Sequence, residues 1–357
     1  MTIARSILVD DSESGFYHCT SRCVRRAYLC GDGYEHRKDW IRDRLKELTQ
    51  IFAIDACGYS VMDNHLHTVV RTDPRRAEAW DARDVAERWR RLFPKHKKDG
   101  TLIEMTEEEL KHLASQHEEV AIWRQRLASL SWFMRTLKEP IARRANKEDG
   151  CTGRFWEGRF KSDVLLDEAA VLACCVYVDL NQIRAGCADT PEASDYTSVQ
   201  DRIRHRQRQA RRNSIDEAVQ SSDAIGVSPF SKPVTDAEEG IWLAPIQRRV
   251  DDETTQPHDL DTCPGVTSLS LDEYLWLVDA TGRTIRDDKR GAIPQDLLPI
   301  LDRLAIDTEK WNNEMCGITR MFGTAVGSAV KRAGEAVRRG TKWVVGAFEI
   351  YRKAPVR

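Results

Sequence analysis

The chain contains no C-x-x-C pair, no apolar run of membrane-spanning length and no surplus of charge of either sign. The first absence bears on redox state. The ten cysteines are scattered, and Cys174 and Cys175 adjoin inside an apolar segment, a usage that suits reduced, buried thiols. The second absence excludes a membrane-spanning helix. The opening M-T-I-A-R-S-I-L-V-D is too short and too soon acidic for a signal peptide, so a cytoplasmic protein with no membrane partner is expected. The third absence removes a uniformly basic nucleic-acid binder, since Lys plus Arg number 55 against 57 Asp plus Glu and the net charge is -2. Local basic patches remain open. What is present is 357 residues, 41% hydrophobic and 31% charged, enough for one good core with a smaller unit or a long appendage.

The stretch that organises the chain is Gly58 to Arg71, G-Y-S-V-M-D-N-H-L-H-T-V-V-R. The run from His65 through Val70 is apolar and β-branched, so it reads as a strand entered through a turn at Asp63-Asn64. Residues two apart in a strand point the same way, which puts His65 and His67 on one face and Leu66, Thr68 and Val70 on the other. Two imidazoles on one face can share a metal ion. An ordinary pair of polar residues on a half-exposed strand fits the same three-residue pattern.

Around this strand, Gly15 to Cys23 alternates as a strand, His36 to Ala53 has a helical period, and Ile54 to Met62 pairs back onto the histidine strand. Asp73 to Ala128 is charged and helical in flavour, a helical pair inserted at about 74–128, with a helix start at Thr106-Glu107-Glu108-Glu109. Leu127 to Asn146 reads as a core helix that Pro140 kinks or ends. Its Arg135, Lys138, Arg143, Arg144 and Lys147 suit either a solvated face or phosphates. In Arg154 to Leu166, a strand would alternate rings such as Trp156 with Arg154, Arg159 and Lys161, a composition for stacking on single-stranded bases. The same rings could fill a core. Ala169 to Gly186 is an apolar helix closed by Gly186. On it Tyr177, Asn181 and Arg184 fall at i, i+4 and i+7 and share one face.

Taken together, Y-H-C-T-S-R, M-D-N-H-L-H, G-R-F-W-E-G-R-F-K-S and Y-V-D-L-N-Q-I-R-A-G resemble, in that order, the HUH single-tyrosine transposases. The closer likeness is to the REP-associated tyrosine transposases, over roughly Gly15 to Val199 with the helical insertion interrupting it. The resemblance implies a nucleophilic tyrosine at Tyr177 and metal ligands at His65, His67 and Asn181. It also implies cleavage of single-stranded DNA beside a hairpin, giving a 5′-phosphotyrosine and a free 3′-OH without ATP. One departure is Gln182, where the family's N-P-V-R-A-G has proline, and its loss should let the helix continue. Two imidazoles and an amide oxygen carry no charge, so Mg²⁺ or Mn²⁺, completed by substrate phosphate, is the expected cofactor. Tyr17, Tyr59 and Tyr196 are rival nucleophiles, Tyr17 foremost because its strand could lie beside the histidines.

The β-α-β-β-α-β order predicts an α+β, ferredoxin-like fold: an antiparallel sheet with helices on one face. Residues 1–200 form the catalytic unit, 201–265 a basic then acidic linker, and 266–357 a helical C-terminal appendage. Arg22, Arg154, Trp156, Arg159, Lys161, Arg184, Arg202, Arg204, Arg206 and Arg208 are the candidate DNA contacts. The run Asp201 to Asn213 favours DNA over a solvated linker, because its six arginines repel unless an anion screens them. Lys331, Arg332, Arg338, Arg339 and Lys342 suit DNA or a partner protein equally, and a homodimer stays open. Two functions fit: a nicking and joining enzyme on single-stranded or hairpin DNA, or a domesticated protein that binds structured DNA without cutting it.

Overall fold

In the computed structural model, which describes residues 9–222, 242–247, 265–285 and 325–344, the chain begins with β1 (Gly15–Arg22), α1 (His36–Ile51), β2 (Ile54–Val61) and β3 (His65–Thr72). Helix α1 buries Ile41, Leu45, Leu48 and Ile51, three or four residues apart, as one stripe. The β2–β3 hairpin closes where Met62 N donates to His65 O at 2.8 Å. Four helices rather than a pair then fill the insertion: α2 (Pro74–Ala79), α3 (Ala82–Leu92), α4 (Glu107–Ala114) and α5 (His117–Ala128). They dock through Val85, Ala86, Leu110, Val120 and Trp123, so the insertion extends the core. As expected, Thr106 caps α4, its hydroxyl accepting from Glu109 N at 3.1 Å.

Helix α6 (Leu130–Glu148) does not end at Pro140 but continues past it. Proline cannot bond the carbonyl of Thr136 four residues earlier. That carbonyl instead accepts from Arg44 Nε at 3.3 Å, and the helix continues. Next come β4 (Lys161–Leu165), α7 (Glu168–Asp179), a short α8 (Asn181–Arg184) and the long α9 (Ser198–Ser222). The expected helix to Gly186 is interrupted at Leu180, ahead of the Gln182 position. Gly186, at φ +69°, ends α8 with Cys187 N bonded back to Gln182 O.

The sheet order is β2-β3-β1-β4-β5, where β5 (Ala325–Val326) is a short edge strand parallel to β4 and all other pairings are antiparallel. The first four strands give the ferredoxin-like order. The α+β class and the antiparallel sheet match expectation; the helices, however, cover both faces. Tyr17, Cys19, Leu66 and Val70 pack with α1 and α6 on one side, while Val69 and Leu165 pack with α7 on the other. Cys174 and Cys175 of α7 are free and buried. No helix among the described residues is long and apolar enough to cross a membrane.

The downstream segments are tied to this core. Residues expected in a linker form α9 as far as Ser222. Leu243, Ala244 and Ile246 dock, with Ala244 N donating to Ala56 O at 2.8 Å. Helix α10 (Leu271–Ile285) packs Tyr274, Leu277 and Val278 into the same cluster as α7, and α11 (Ala329–Arg338) follows β5. In the described residues past Gly265 the chain thus contributes to the core instead of hanging from it as an appendage. The helices expected at 293–304 and 308–315 lie outside the described residues.

Beside this apolar packing, a buried carboxylate ties α10 to α7. Asp179 accepts from Tyr274 OH at 2.5 Å, from Val199 N at 3.0 Å and from Ser198 Oγ. Burial nevertheless outweighs these donors and raises its pKa to about 6. The native state thus holds this proton more tightly than the unfolded chain, so stability falls as pH rises from about 4 to about 6. Tyr274→Phe should lower stability by about 1–3 kcal/mol and carry that fall to higher pH, which urea unfolding below and above the window would measure.

Candidate functional site

The site lies on the α7 side of the sheet. Directly paired residues share a face, so the register Arg22↔His65, Thr20↔His67, His18↔Val69 places Arg22, Thr20, His18, His65 and His67 together. β4 adds Lys161 opposite Thr20 and Asp163 opposite His18. The rings of His65 and His67 are nearly perpendicular, with centroids 4.9 Å apart. From above, α7 lowers Tyr177 onto them, its centroid 5.6 Å from that of His67 and 6.1 Å from that of His18. Arg184 of α8 covers the Tyr177 ring at 5.0 Å. Four residues expected to act together, His65, His67, Tyr177 and Arg184, are thus in one cluster.

Electrostatics set their charge states. Burial, with the Arg22 charge adding to it, lowers the His65 pKa to about 4. Burial also holds His67 well below the ordinary imidazole value, helped by His18, His65 and Arg22. Both rings are therefore neutral at neutral pH, the form that binds a metal. Burial raises the Tyr177 phenol, and the Arg184 and Arg22 charges partly oppose it.

The side chains that could face a divalent cation are His65, His67 and Asn181. His65 Nδ1 faces Asn64 Oδ1 at 2.6 Å, and His67 Nδ1 faces His18 Nε2 at 2.8 Å. Both Nδ1 atoms are occupied, which leaves the two Nε2 atoms as the ring nitrogens that could meet a metal. Among the described residues no group of three His, Cys, Asp or Glu side chains gathers to hold a metal. A third ligand would have to be of another type, as Asn181 is. Asn181 is buried and its Nδ2 bonds Val178 O at 3.3 Å, so Oδ1 is the atom it could offer. Gln182, in the proline position, donates to Val61 O at 3.1 Å and Asp195 O at 3.3 Å, pinning α8 to the end of β2 as proline could not.

The rival tyrosines sit elsewhere. β1 does pair with β3, but Tyr17 points to the opposite face, accepts from Asp10 N at 3.2 Å and has its pKa pushed up to about 12 by burial. Tyr59 donates to Asp201 at 2.7 Å and Tyr196 to Asp39 at 3.2 Å.

Two candidate DNA contacts are corrected. Trp156 does not lie in a strand of alternating rings and cations; Phe155, Trp156 and Phe160 are core residues. The Trp156 indole donates to Lys138 O at 2.9 Å. Arg202 is buried at 2% exposure, its guanidinium donating to Ala244 O at 3.0 Å and Cys57 O at 2.8 Å. Composition does not say which side of an element faces the core; for Trp156 the alternative of rings filling a core is the one that holds. Arg22, Arg154, Arg159 and Lys161 are exposed. The loop bearing Arg154 and Arg159 is bonded to the end of β1, with Glu157 N donating to Arg22 O at 2.8 Å. Arg204 pairs with Asp195 at 3.2 Å and Arg206 with Asp272 at 2.7 Å. With Arg42, Lys46 and Arg211, Arg204 and Arg208 line an open cleft of about 500 Å³. On α6, Arg143 pairs with Glu139, and Arg144 stacks on Trp40 at 3.7 Å. The sequence pattern singles out neither His18 nor Asp163 as a site residue. His18 stands in the Y-H-C-T-S-R stretch, but its neighbours are set by strand register.

No protein-family model matches the chain, and no curated protein matches it. A solved structure described as the REP-associated tyrosine transposase bound to a REP hairpin is similar at 12% identity and a TM-score of 0.31, covering 53% of this chain and 79% of that one. So distant a likeness defines neither a substrate nor the residues that would act on one.

The two kinds of arginine should separate in a stability assay. Arg202→Ala leaves two buried carbonyls unsatisfied and should cost about 2–4 kcal/mol. Arg204→Ala loses an exposed ion pair and should cost less than about 1 kcal/mol. Chemical denaturation of the two variants checks this.

Proposed function

We propose that the chain is a metal-dependent enzyme of the transposase type that nicks and joins single-stranded DNA beside hairpins, with Tyr177 as nucleophile. The observation that carries the reading is the seating of the Tyr177 ring against His67, with Arg184 over it, by a helix far downstream of the histidine strand. His65, His67 and Asn181 would hold Mg²⁺ or Mn²⁺, which when bound supplies Lewis-acid polarisation of a phosphoryl oxygen. Arg22 and Arg184 bring positive charge to the same face and would orient the phosphate. Tyr177 Oη attacks phosphorus and the bond to the 3′ oxygen breaks. The phenol gives up its proton and the departing oxygen takes one up, leaving a 5′-phosphotyrosine and a 3′-OH. The bond energy is kept in the ester, so rejoining needs no ATP. Exposed Arg154, Arg159 and Lys161, at the end of β1 and the start of β4, suit the backbone of the strand leading to this point.

One observation favours the second reading, a protein that binds structured DNA without cutting it. Tyr177 is only 7% exposed and its phenol is raised by burial, so an uncompensated site keeps it protonated. A single experiment separates the two. Incubated with a labelled hairpin oligonucleotide and Mn²⁺, the wild-type protein should give a covalent adduct on a denaturing gel, mapped to Tyr177 by mass spectrometry. Tyr177→Phe should bind the hairpin with near-unchanged affinity and form none. Asn181→Ala should slow cleavage and keep some adduct at high Mn²⁺. An adduct on Tyr17 or Tyr196, or full cleavage by the Phe variant, would remove Tyr177 from its role, and a wild-type protein that binds without any adduct supports the second reading.

A further inference from the structure

The sheet face that carries His65 and His67 holds a third imidazole that the reaction above does not use. His18 is 2% exposed. Its ring lies 8° from parallel with that of His67, and its Nε2 stands 2.8 Å from His67 Nδ1. On its other side β4 presents Asp163, opposite His18 in the register, with Oδ2 at 3.6 Å from His18 Nδ1. A carboxylate and two imidazoles therefore stand in line across three adjacent strands.

Electrostatics at the Asp163 end gives that line a direction. A carboxylate only accepts, so it attracts an N–H turned toward it and repels a lone pair. At 3.6 Å the contact is longer than a hydrogen bond, and its electrostatic pull on a neutral His18 favours the proton on Nδ1. A neutral imidazole has one such proton, so His18 Nε2 presents a lone pair to His67. His67 Nδ1 is then the donor, to His18 Nε2 at 2.8 Å and to Thr20 Oγ1 at 3.3 Å. Its Nε2 is left as the lone pair. His65 reaches the same state by a shorter route. Asn64 Nδ2 donates to Arg26 O at 3.2 Å, which turns Asn64 Oδ1 toward His65 Nδ1 as an acceptor. His65 Nδ1 thus carries its proton, and Nε2 is the lone pair.

We propose that Asp163 and His18 are positioning residues that hold His67 as the Nδ1–H tautomer and so present its Nε2 to a divalent cation; the proposal rests on the metal-dependent reading above. It extends by one ring the arrangement in which a carboxylate orients a metal-binding histidine. Neither residue touches the reacting phosphate, and their contribution is to the orientation and basicity of a ligand.

The test has two arms. Long-range ¹H–¹⁵N spectra of the metal-free wild-type protein, labelled on histidine nitrogen, should show both His18 and His67 as Nδ1–H tautomers; His67 found as Nε2–H overturns the proposal. In the second arm, the free Mn²⁺ signal in electron paramagnetic resonance is titrated with wild-type, Asp163→Asn and His18→Phe proteins. Each substitution should weaken Mn²⁺ binding by about tenfold or more, with the near-ultraviolet circular dichroism of the wild type. Wild-type affinity in both folded variants overturns the relay while leaving the metal reading intact. A wild-type protein that binds no Mn²⁺ removes the metal reading, and the relay loses its object with it.

Discussion

The chemistry of this face depends on the register of β1 against β3. Side chains alternate along a strand with a period of two, so a slip of one residue would turn His18 and Thr20 away from His67 and present Tyr17 and Cys19 in their place. The register is held from both sides of the sheet. Tyr17, Cys19, Leu66 and Val70 are locked against α1 and α6, and Val69 and Leu165 against α7. With both faces covered, a slip would exchange apolar and polar side chains on each at once. The imidazole cluster is thus maintained by packing that has no chemical part in it.

The other half of the site depends on how α7 is rotated. Nearly every residue of this helix is buried, so it has no solvent face to orient it. Polar contacts at its ends supply the orientation. At the start, Asp167 caps α7 through Ala170 N at 2.9 Å and accepts Ser328 N at 2.9 Å beside β5. At the end, Asp179 gathers donors from α9 and α10, and Gln182 fastens the following turn to β2. Each such bond contributes only about 1 kcal/mol net, but leaving its buried partner unsatisfied costs more. That asymmetry makes the contacts directional, and the direction aims Tyr177 at His67. It also explains why distant segments of the chain, residues 265–285 and 325–344, bear on a site they do not enter.

Charge is divided in the same way between structure and surface. Arg37 is fully buried on Glu148 and Asp149, Arg76 on Asp55, and Arg202 on two backbone carbonyls. The planar guanidinium suits such positions because it satisfies several acceptors at once. A chain with near-zero net charge can still present an exposed cationic rim at Arg22, Arg154, Arg159 and Lys161, because so much of its remaining basic charge is paired internally.

Local pattern alone was enough for the β2–β3 hairpin, the shared face of His65 and His67, the capped start of α4 and the apolar character of α7. Each rests on spacing within a dozen residues, and spacing is written in the sequence. Pattern also placed Tyr177 and Arg184 on one helix face; they do meet, though from two helices separated at Leu180. It failed where a residue's meaning depends on what lies across from it. Trp156 and Arg202 read as surface contacts and are core; Pro140 read as a kink or an end, and the helix does not end there, since Arg44 takes the carbonyl that proline abandons. The helices on the second face, the fifth strand and the alignment of Asp163, His18 and His67 were invisible for the same reason. They are pairings between residues far apart in the chain, set by strand register and by burial on both sides of the sheet, and only the folded chain brings those partners within bonding distance.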